Sequence, residues 1–310
     1  MPKKIIFMGT PMFAVPILKS LYQNGFPINL VYTQPPQKSH RGQKINKSPV
    51  QGISETLNIE FRSPQNLKNN TEEYEFLKKM EADLAIVVAY GQIIPKEFLS
   101  LTKKGFINIH ASILPKWRGA APIQRAIMNL DTETGISIMK INEELDSGPV
   151  SNTYKIKLDQ SLNAKEVSEK LALIAADKIL DVVDEIFEGK SNFVDQDNSK
   201  ATYAKKITKN EGQIDWKSDA LKIIGKINGL YPSPGAFFYF YGQRYKILKA
   251  EIGNGFGQNG EVISDDLEIA CGGEKSIKVF EIQREGKKVQ KIGEFMLGSQ
   301  IRKGSIISNV

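Results

Sequence analysis

Between Leu84 and Ala89 the chain runs through Leu-Ala-Ile-Val-Val-Ala without a polar residue. A strand with one wet face alternates apolar and polar residues, whereas an unbroken apolar run of this length fits a strand covered on both faces. Such a sheet needs helices above and below it, and parallel strands need crossovers to connect them. The surrounding sequence supplies both. Ile5 to Met8 is a short apolar run that stops at Gly9-Thr10-Pro11, and an amphipathic pattern through Phe13, Ile17, Leu18 and Leu21 follows. Pro16 suits the first turn of that helix. Ile28 to Thr33, Ile59 to Phe61, Gly105 to His110 and Thr134 to Ile141 read as further strands. Asn70-Thr-Glu-Glu73 and Asn163-x-x-Glu166 have the spacing of helix-opening capping boxes. The second precedes an apolar stripe that ends at Gly189. The expected fold class is α/β, a Rossmann-like domain with a mostly parallel sheet.

After residue 189 the periodicity changes. Residues 190–206 are polar and aperiodic and read as a linker. From Gly235 onward short β-like runs follow one another, among them Ala236 to Phe240, Tyr245 to Leu248, Glu261 to Ile263, Leu267 to Ile269 and Ile277 to Ile282. Short strands at close spacing suggest a small β-barrel, OB-like in size. The expected division is a catalytic domain over 1–189, a linker over 190–206 and a β-barrel domain over 207–310.

Composition narrows the function classes. The 310 residues are 41% hydrophobic and 25% charged, which excludes disorder as the main state. A single cysteine, Cys271, excludes an internal disulfide and a cysteine-rich zinc site, and reads as a small buried hydrophobe. Two histidines, His40 and His110, leave little for a histidine-based metal site, so no metal is expected. With no apolar run of membrane-spanning length and no signal-peptide pattern, a cytoplasmic protein is expected. The net charge is +7, concentrated in three stretches without acids: 34–54, 98–130 and 198–210. If the fold gathers them, they form a surface that attracts phosphate backbone; if not, they are separate solvated loops.

Asn108-x-His110 carries the clearest chemistry. Two residues apart at a strand end, both side chains point to the same face, at the carboxyl edge where open α/β sheets bind ligands. An imidazole holds or relays a proton near neutral pH, and an amide N–H stabilises oxyanion charge, a pairing suited to acyl transfer to an amine. The same pair also serves as a satisfied structural contact elsewhere. Asp146, in Leu145-Asp-Ser-Gly-Pro149, sits on a sharp turn from which a carboxylate reaches a neighbouring imidazole or binds its own backbone. Gly9-Thr-Pro lacks the G-x-G-x-x-G spacing, which disfavours a nicotinamide oxidoreductase.

These segments stand in a particular order: Phe7-Met-Gly-Thr-Pro-x-Phe13, Thr33-Gln-Pro35, Asn108-x-His110, Ser112-Ile-Leu-Pro115, Arg118-Gly-Ala-Ala-Pro-Ile-Gln124, Thr134-Gly-Ile-Ser137, Leu145-Asp-Ser-Gly-Pro149 and Leu230-Tyr-Pro-x-Pro-Gly-Ala236. In this the chain resembles the 10-formyltetrahydrofolate-dependent formyltransferases, above all their tRNA-directed members. The likeness runs from residue 4 to about residue 250. It implies transfer of the formyl group of 10-formyltetrahydrofolate to the α-amino group of methionine on initiator tRNA. It implies Asn108, His110 and Asp146 as catalytic residues. It places the folate against Ser112, Ile113, Leu114 and Pro115 and against Val88, Tyr90, Gly91, Gln92 and Ile93. The basic segment between Pro35 and Pro49 corresponds to a family insertion that meets the tRNA acceptor end, which assigns Arg41, Lys44 and Lys47 to tRNA, with Lys205, Lys206 and Lys209 at the domain junction. His40 carries no assignment. Rival readings are a formyltransferase for a small amine, such as glycinamide ribonucleotide or an amino sugar, and a non-catalytic tRNA-binding protein.

Overall fold

The structure is a computed structural model and describes residues 3–39 and 44–308. It divides into two compact units. The first comprises Met1–Gly119, Gly135–Lys155 and Ser168–Tyr203; the second comprises Ala120–Thr134, Ile156–Val167 and Ala204–Val310.

The first unit is organised around a seven-stranded sheet. From edge to edge its strands are Val150–Lys157, Glu133–Lys140, Phe106–His110, Leu84–Val88, Ile5–Gly9, Ile28–Tyr32 and Phe61–Arg62. Ile5–Gly9 runs parallel to both of its neighbours, and Leu84–Val88 runs parallel to Phe106–His110. The direction reverses where Phe106–His110 meets Glu133–Lys140. Every residue of Ile5–Gly9 and of Leu84–Val88 is buried, as the unbroken apolar runs require. Gly9 permits the sharp turn out of the first strand, because a Cβ there would lie 2.8 Å from the Phe7 ring and 2.9 Å from Ala14 Cβ.

Of the two capping boxes, one is complete. Asn163 Oδ1 accepts from the Glu166 amide at 3.1 Å, and Glu166 Oε2 accepts in return from the Asn163 amide at 2.9 Å. Asn70 Oδ1 accepts from the Glu73 amide at 3.1 Å, but the Glu73 carboxylate turns away from it. That carboxylate is buried, and it takes the Tyr32 hydroxyl at 2.6 Å and the Arg62 guanidinium at 2.7 Å. A charged partner outcompetes a neutral amide for a buried carboxylate.

Two elements were not legible in the sequence. The helix Pro49–Thr56 begins where the basic loop was expected to end; Ser48 caps it, accepting from the Gln51 amide at 2.9 Å, with Pro49 in the first turn. The strand Val150–Lys157 is half-exposed and mostly polar, so it carries no apolar run. Between Pro35 and Pro49 the backbone forms a small antiparallel pair, Gln37–Ser39 with Lys44–Asn46. Residues 190–206, expected as a linker, include a single 3₁₀ turn at Asn198–Lys200 and the strand Tyr203–Ala204.

The second unit contains an antiparallel sheet in the order Ala236–Phe240, Gln243–Gly253, Lys275–Arg284 and Glu268–Cys271, with Gln290–Lys291 added on Lys275–Arg284. Glu261 and Val262, expected within a strand, make only isolated bridges. Trp216, Phe238, Tyr245 and Ile247 are among the residues of its core. Of the consecutive aromatics from Phe237 to Tyr241, Phe238 and Phe240 belong to the core and Tyr239 and Tyr241 are exposed, while Phe237, on the face opposite Phe238, is buried as well. Cys271 is buried in the same core. The helices Pro122–Met128 and Ala220–Gly229 pack closely through glycines, since a Cβ on Gly225 would lie 2.8 Å from Leu130 Cδ2 and one on Gly229 would lie 2.6 Å from Met128 Cγ.

Candidate active site

The strand Phe106–His110 delivers Asn108 and His110 to the carboxyl edge of the parallel part of the sheet. Asn108 pairs with Val87, and His110 pairs with Ser137 of the antiparallel neighbour. Asn108 is half-buried, and His110 is 6% exposed. The third residue arrives from the turn that follows Glu133–Lys140. Asp146 holds a left-handed backbone with φ of 47°, a conformation that costs a non-glycine residue about 1 kcal/mol. Its carboxylate thereby faces the strand tip. Oδ2 lies 3.6 Å from His110 Nδ1 and accepts from the Gly119 amide at 2.8 Å. Oδ1 lies 3.5 Å from Asn108 Nδ2.

The far edge of the imidazole is also fixed. His110 Nε2 lies 2.9 Å from the carbonyl oxygen of Trp117, which itself sits at φ of 61°. A carbonyl only accepts, so Nε2 carries the hydrogen. In the neutral ring Nδ1 then has a lone pair, which faces Asp146. The segment between these residues is pinned from below: Ser137 Oγ donates to the Ser112 carbonyl at 2.8 Å and accepts from the Leu114 amide at 3.1 Å. Ser112 Oγ donates to the Lys116 carbonyl at 2.6 Å, and a cis bond joins Leu114 to Pro115.

The turn after Leu84–Val88 lies at the same sheet edge, one strand over from Asn108. Its main chain is braced by Thr10 Oγ1, which donates to the Tyr90 carbonyl at 2.7 Å, and by Gln34 Nε2, which donates to the Gly91 carbonyl at 2.7 Å. The side chains divide sharply. The Tyr90 ring points into the hydrophobic core at 2% exposure, and burial raises its hydroxyl pKa. Any flat ligand at this edge therefore meets the backbone of this turn rather than the tyrosine ring. Ile93 is 88% exposed, Gly91 is exposed with φ of 84°, and Gln92 donates inward to the Pro64 carbonyl at 2.9 Å, leaving its own buried Oε1 unpartnered. Of these three, the Ile93 side chain is open to an apolar ligand face, whereas the Gln92 amide oxygen is buried and a Cβ on Gly91 would lie 2.3 Å from Gln34 Nε2.

The structure thus brings Asn108, His110 and Asp146 together. Val88 and Ser112 are buried and engaged structurally. Lys205, Lys206 and Lys209 are exposed, and Lys47 pairs with Glu55 at 2.9 Å. Arg41, like His40, lies outside the described residues, and of Lys44 only the backbone is described. Sequence reasoning missed the Trp117 carbonyl and the Gly119 amide, because main-chain groups leave no residue-type signal.

The Formyl transferase family model matches residues 3–183, and its C-terminal domain model matches residues 206–300. The chain belongs to the formyltransferase family. Within that family it is 66% identical to the methionyl-tRNA formyltransferase of Pelagibacter ubique over 310 residues, covering all of both chains. It is 40% identical to the methionyl-tRNA formyltransferase of Caldanaerobacter subterraneus, covering 98% of this chain and 99% of that one. Among solved formyltransferase structures, an N-formyltransferase from Helicobacter canadensis in complex with folinic acid and dTDP-3-aminofucose matches with a TM-score of 0.70 at 19% identity, over 92% of this chain and all of the other. HypX from Aquifex aeolicus, in complex with tetrahydrofolic acid, matches with a TM-score of 0.64 at 16% identity, over 96% of this chain and 47% of its own. At such identities these two structures establish the fold alone.

Proposed function

We propose that this enzyme transfers the formyl group of 10-formyltetrahydrofolate to the α-amino group of methionine on initiator tRNA, in the cytoplasm, for translation initiation. The reading is supported by full-length likeness to methionyl-tRNA formyltransferases. The single observation that carries the chemistry is the convergence of a carboxylate, an imidazole and a carboxamide within 3.6 Å at one strand tip.

The folate supplies the formyl carbon, and the aminoacyl-tRNA supplies the attacking amine. Asp146 takes a proton from that amine as the new N–C bond forms. Asn108, with one N–H turned to Asp146, offers the second to the formyl oxygen as negative charge develops there. His110, held at Nε2 by Trp117, keeps Asp146 oriented and shares its proton through Nδ1. The proton is returned to the departing folate nitrogen as its bond to the formyl carbon breaks. The turn from Val88 to Ile93 and the segment from Ser112 to Pro115 form the folate side of the site. Arg41, Lys44, Lys47, Lys205, Lys206 and Lys209 belong to the tRNA side, with the β-rich domain from residue 207 onward sharing in the grip.

The test is to incubate the purified chain with 10-formyltetrahydrofolate and initiator methionyl-tRNA and to look for formyl-methionine by mass. His110→Ala abolishes the product while tRNA still shifts in a gel. Formylation of an amino sugar in place of the tRNA overturns the acceptor assignment. Full activity of His110→Ala overturns the site.

A further inference from the structure

Gln196 lies in the polar stretch of the first unit that follows the long helix Ala164–Glu188, and its carboxamide bonds at both ends. Nε2 donates to the main-chain oxygen of Asp146 at 2.9 Å and to that of Gly148 at 2.7 Å. Oε1 accepts from Arg118 Nε at 3.0 Å and from Arg118 Nη2 at 2.8 Å. Arg118 is 3% exposed, and its other side-chain bond goes to Asn198 Oδ1 at 2.7 Å. A buried guanidinium facing amide oxygens instead of a carboxylate gives up hydration without an opposite charge in return. What it gains is a fixed orientation for the glutamine. The dipeptide Arg118-Gly119 consequently reaches Asp146 by two routes. The Gly119 amide meets the carboxylate directly, and the Arg118 guanidinium acts on the main chain through Gln196.

We propose that Gln196 is a positioning residue for formyl transfer: its carboxamide, oriented by Arg118, clips the main chain on both sides of Ser147 and so sets the Asp146 carboxylate against His110 and Asn108. The inference rests on the role given to Asp146 above. The two bonds hold the left-handed turn at Asp146, with its φ of 47°, from both sides of Ser147. Releasing it lets the carboxylate drift, and a displacement of about 1 Å in a reacting group costs about a hundredfold in rate.

Gln196→Glu in the full chain tests this. Glutamate is nearly isosteric and keeps an acceptor for Arg118, now as a charge-assisted pair, but it has no N–H for the two carbonyls. The expected result is an unchanged or raised melting temperature, KM values for methionyl-tRNA and 10-formyltetrahydrofolate that stay put, and kcat lower by about 10–100-fold. In an Asp146→Asn background the same substitution produces no further loss, because both act through one carboxylate. Should Gln196→Glu fail to fold, Gln196→Met carries the same expectation for kcat. Wild-type kcat in the Gln196 variants beside an inactive Asp146→Asn overturns the clip alone, as does a fully additive loss in the double variant. Wild-type kcat in Asp146→Asn overturns the role of the carboxylate and the clip with it.

Discussion

His110 Nε2 and the Trp117 carbonyl oxygen stand 2.9 Å apart, and that contact settles which nitrogen of the ring holds its permanent hydrogen. The neutral ring is therefore expected to carry its hydrogen at Nε2, with Nδ1 turned toward Asp146. Nitrogen-15 NMR of the imidazole measures this directly, and His40→Gln removes the only other histidine signal. An Nδ1-protonated neutral ring would contradict the arrangement.

Gly148 has no room for a side chain. A Cβ there would fall 1.9 Å from the Lys140 carbonyl oxygen. Gly148→Ala must push the turn off the strand Glu133–Lys140 and carry Asp146 with it. A drop in kcat of at least about tenfold is expected, with KM little changed, in steady-state assays of formyl-methionine production.

The buried Glu73 binds the Tyr32 hydroxyl and the Arg62 guanidinium together. Removing the carboxylate leaves the buried Tyr32 hydroxyl without its acceptor and Arg62 with the exposed Glu72 alone, so Glu73→Ala is expected to lose about 2–3 kcal/mol of stability. The midpoint of urea unfolding reports it; a change under about 1 kcal/mol would show the cation finding water instead.

Glu211 is held down to about 2, below its ordinary 4.5, chiefly by the Arg125 guanidinium at 2.6 Å and further by Thr208. A carboxyl depressed on folding stabilises fully above its unfolded value and loses that contribution as pH falls toward the folded one. Solvent around the pair discounts its worth to about 1 kcal/mol. Glu211→Gln should lower stability by that amount at pH 7, and the gap to wild type should close as pH drops from 4.5 toward 2. Paired urea titrations at several pH values follow the difference.

Burial pushes the Cys271 thiol up to about 12. The thiolate is the reactive form, so native protein should resist iodoacetamide at pH 8 while unfolded protein reacts at once. Mass spectrometry counts the adduct, and rapid native labelling would mean that this part of the core opens.

The unbroken apolar runs and the order of strand and helix signals made the parallel sheet readable, because burial on both faces leaves its mark on composition. Asn108 and His110 were readable as a pair because a strand's period of two is rigid. Asp146 drew its meaning from resemblance, since its approach depends on a left-handed turn and a close strand that no local pattern encodes. Gln196 was invisible: a glutamine among polar residues looks like any solvated side chain until Arg118, far away in sequence, is seen holding it. The Glu73 carboxylate misled for the same reason, because a nearby cap was outbid by distant charge.

The second unit draws on stretches from the middle of the chain as well as on its end. During synthesis the helix Pro122–Met128 leaves the ribosome long before Ala220–Gly229, the helix it packs against, has been translated. Its buried face, Ile123, Ala126 and Ile127, must wait uncovered for that interval. The nascent enzyme thus passes through a stage with a sticky, half-dressed helix, a natural station for chaperones that meet chains at the exit tunnel.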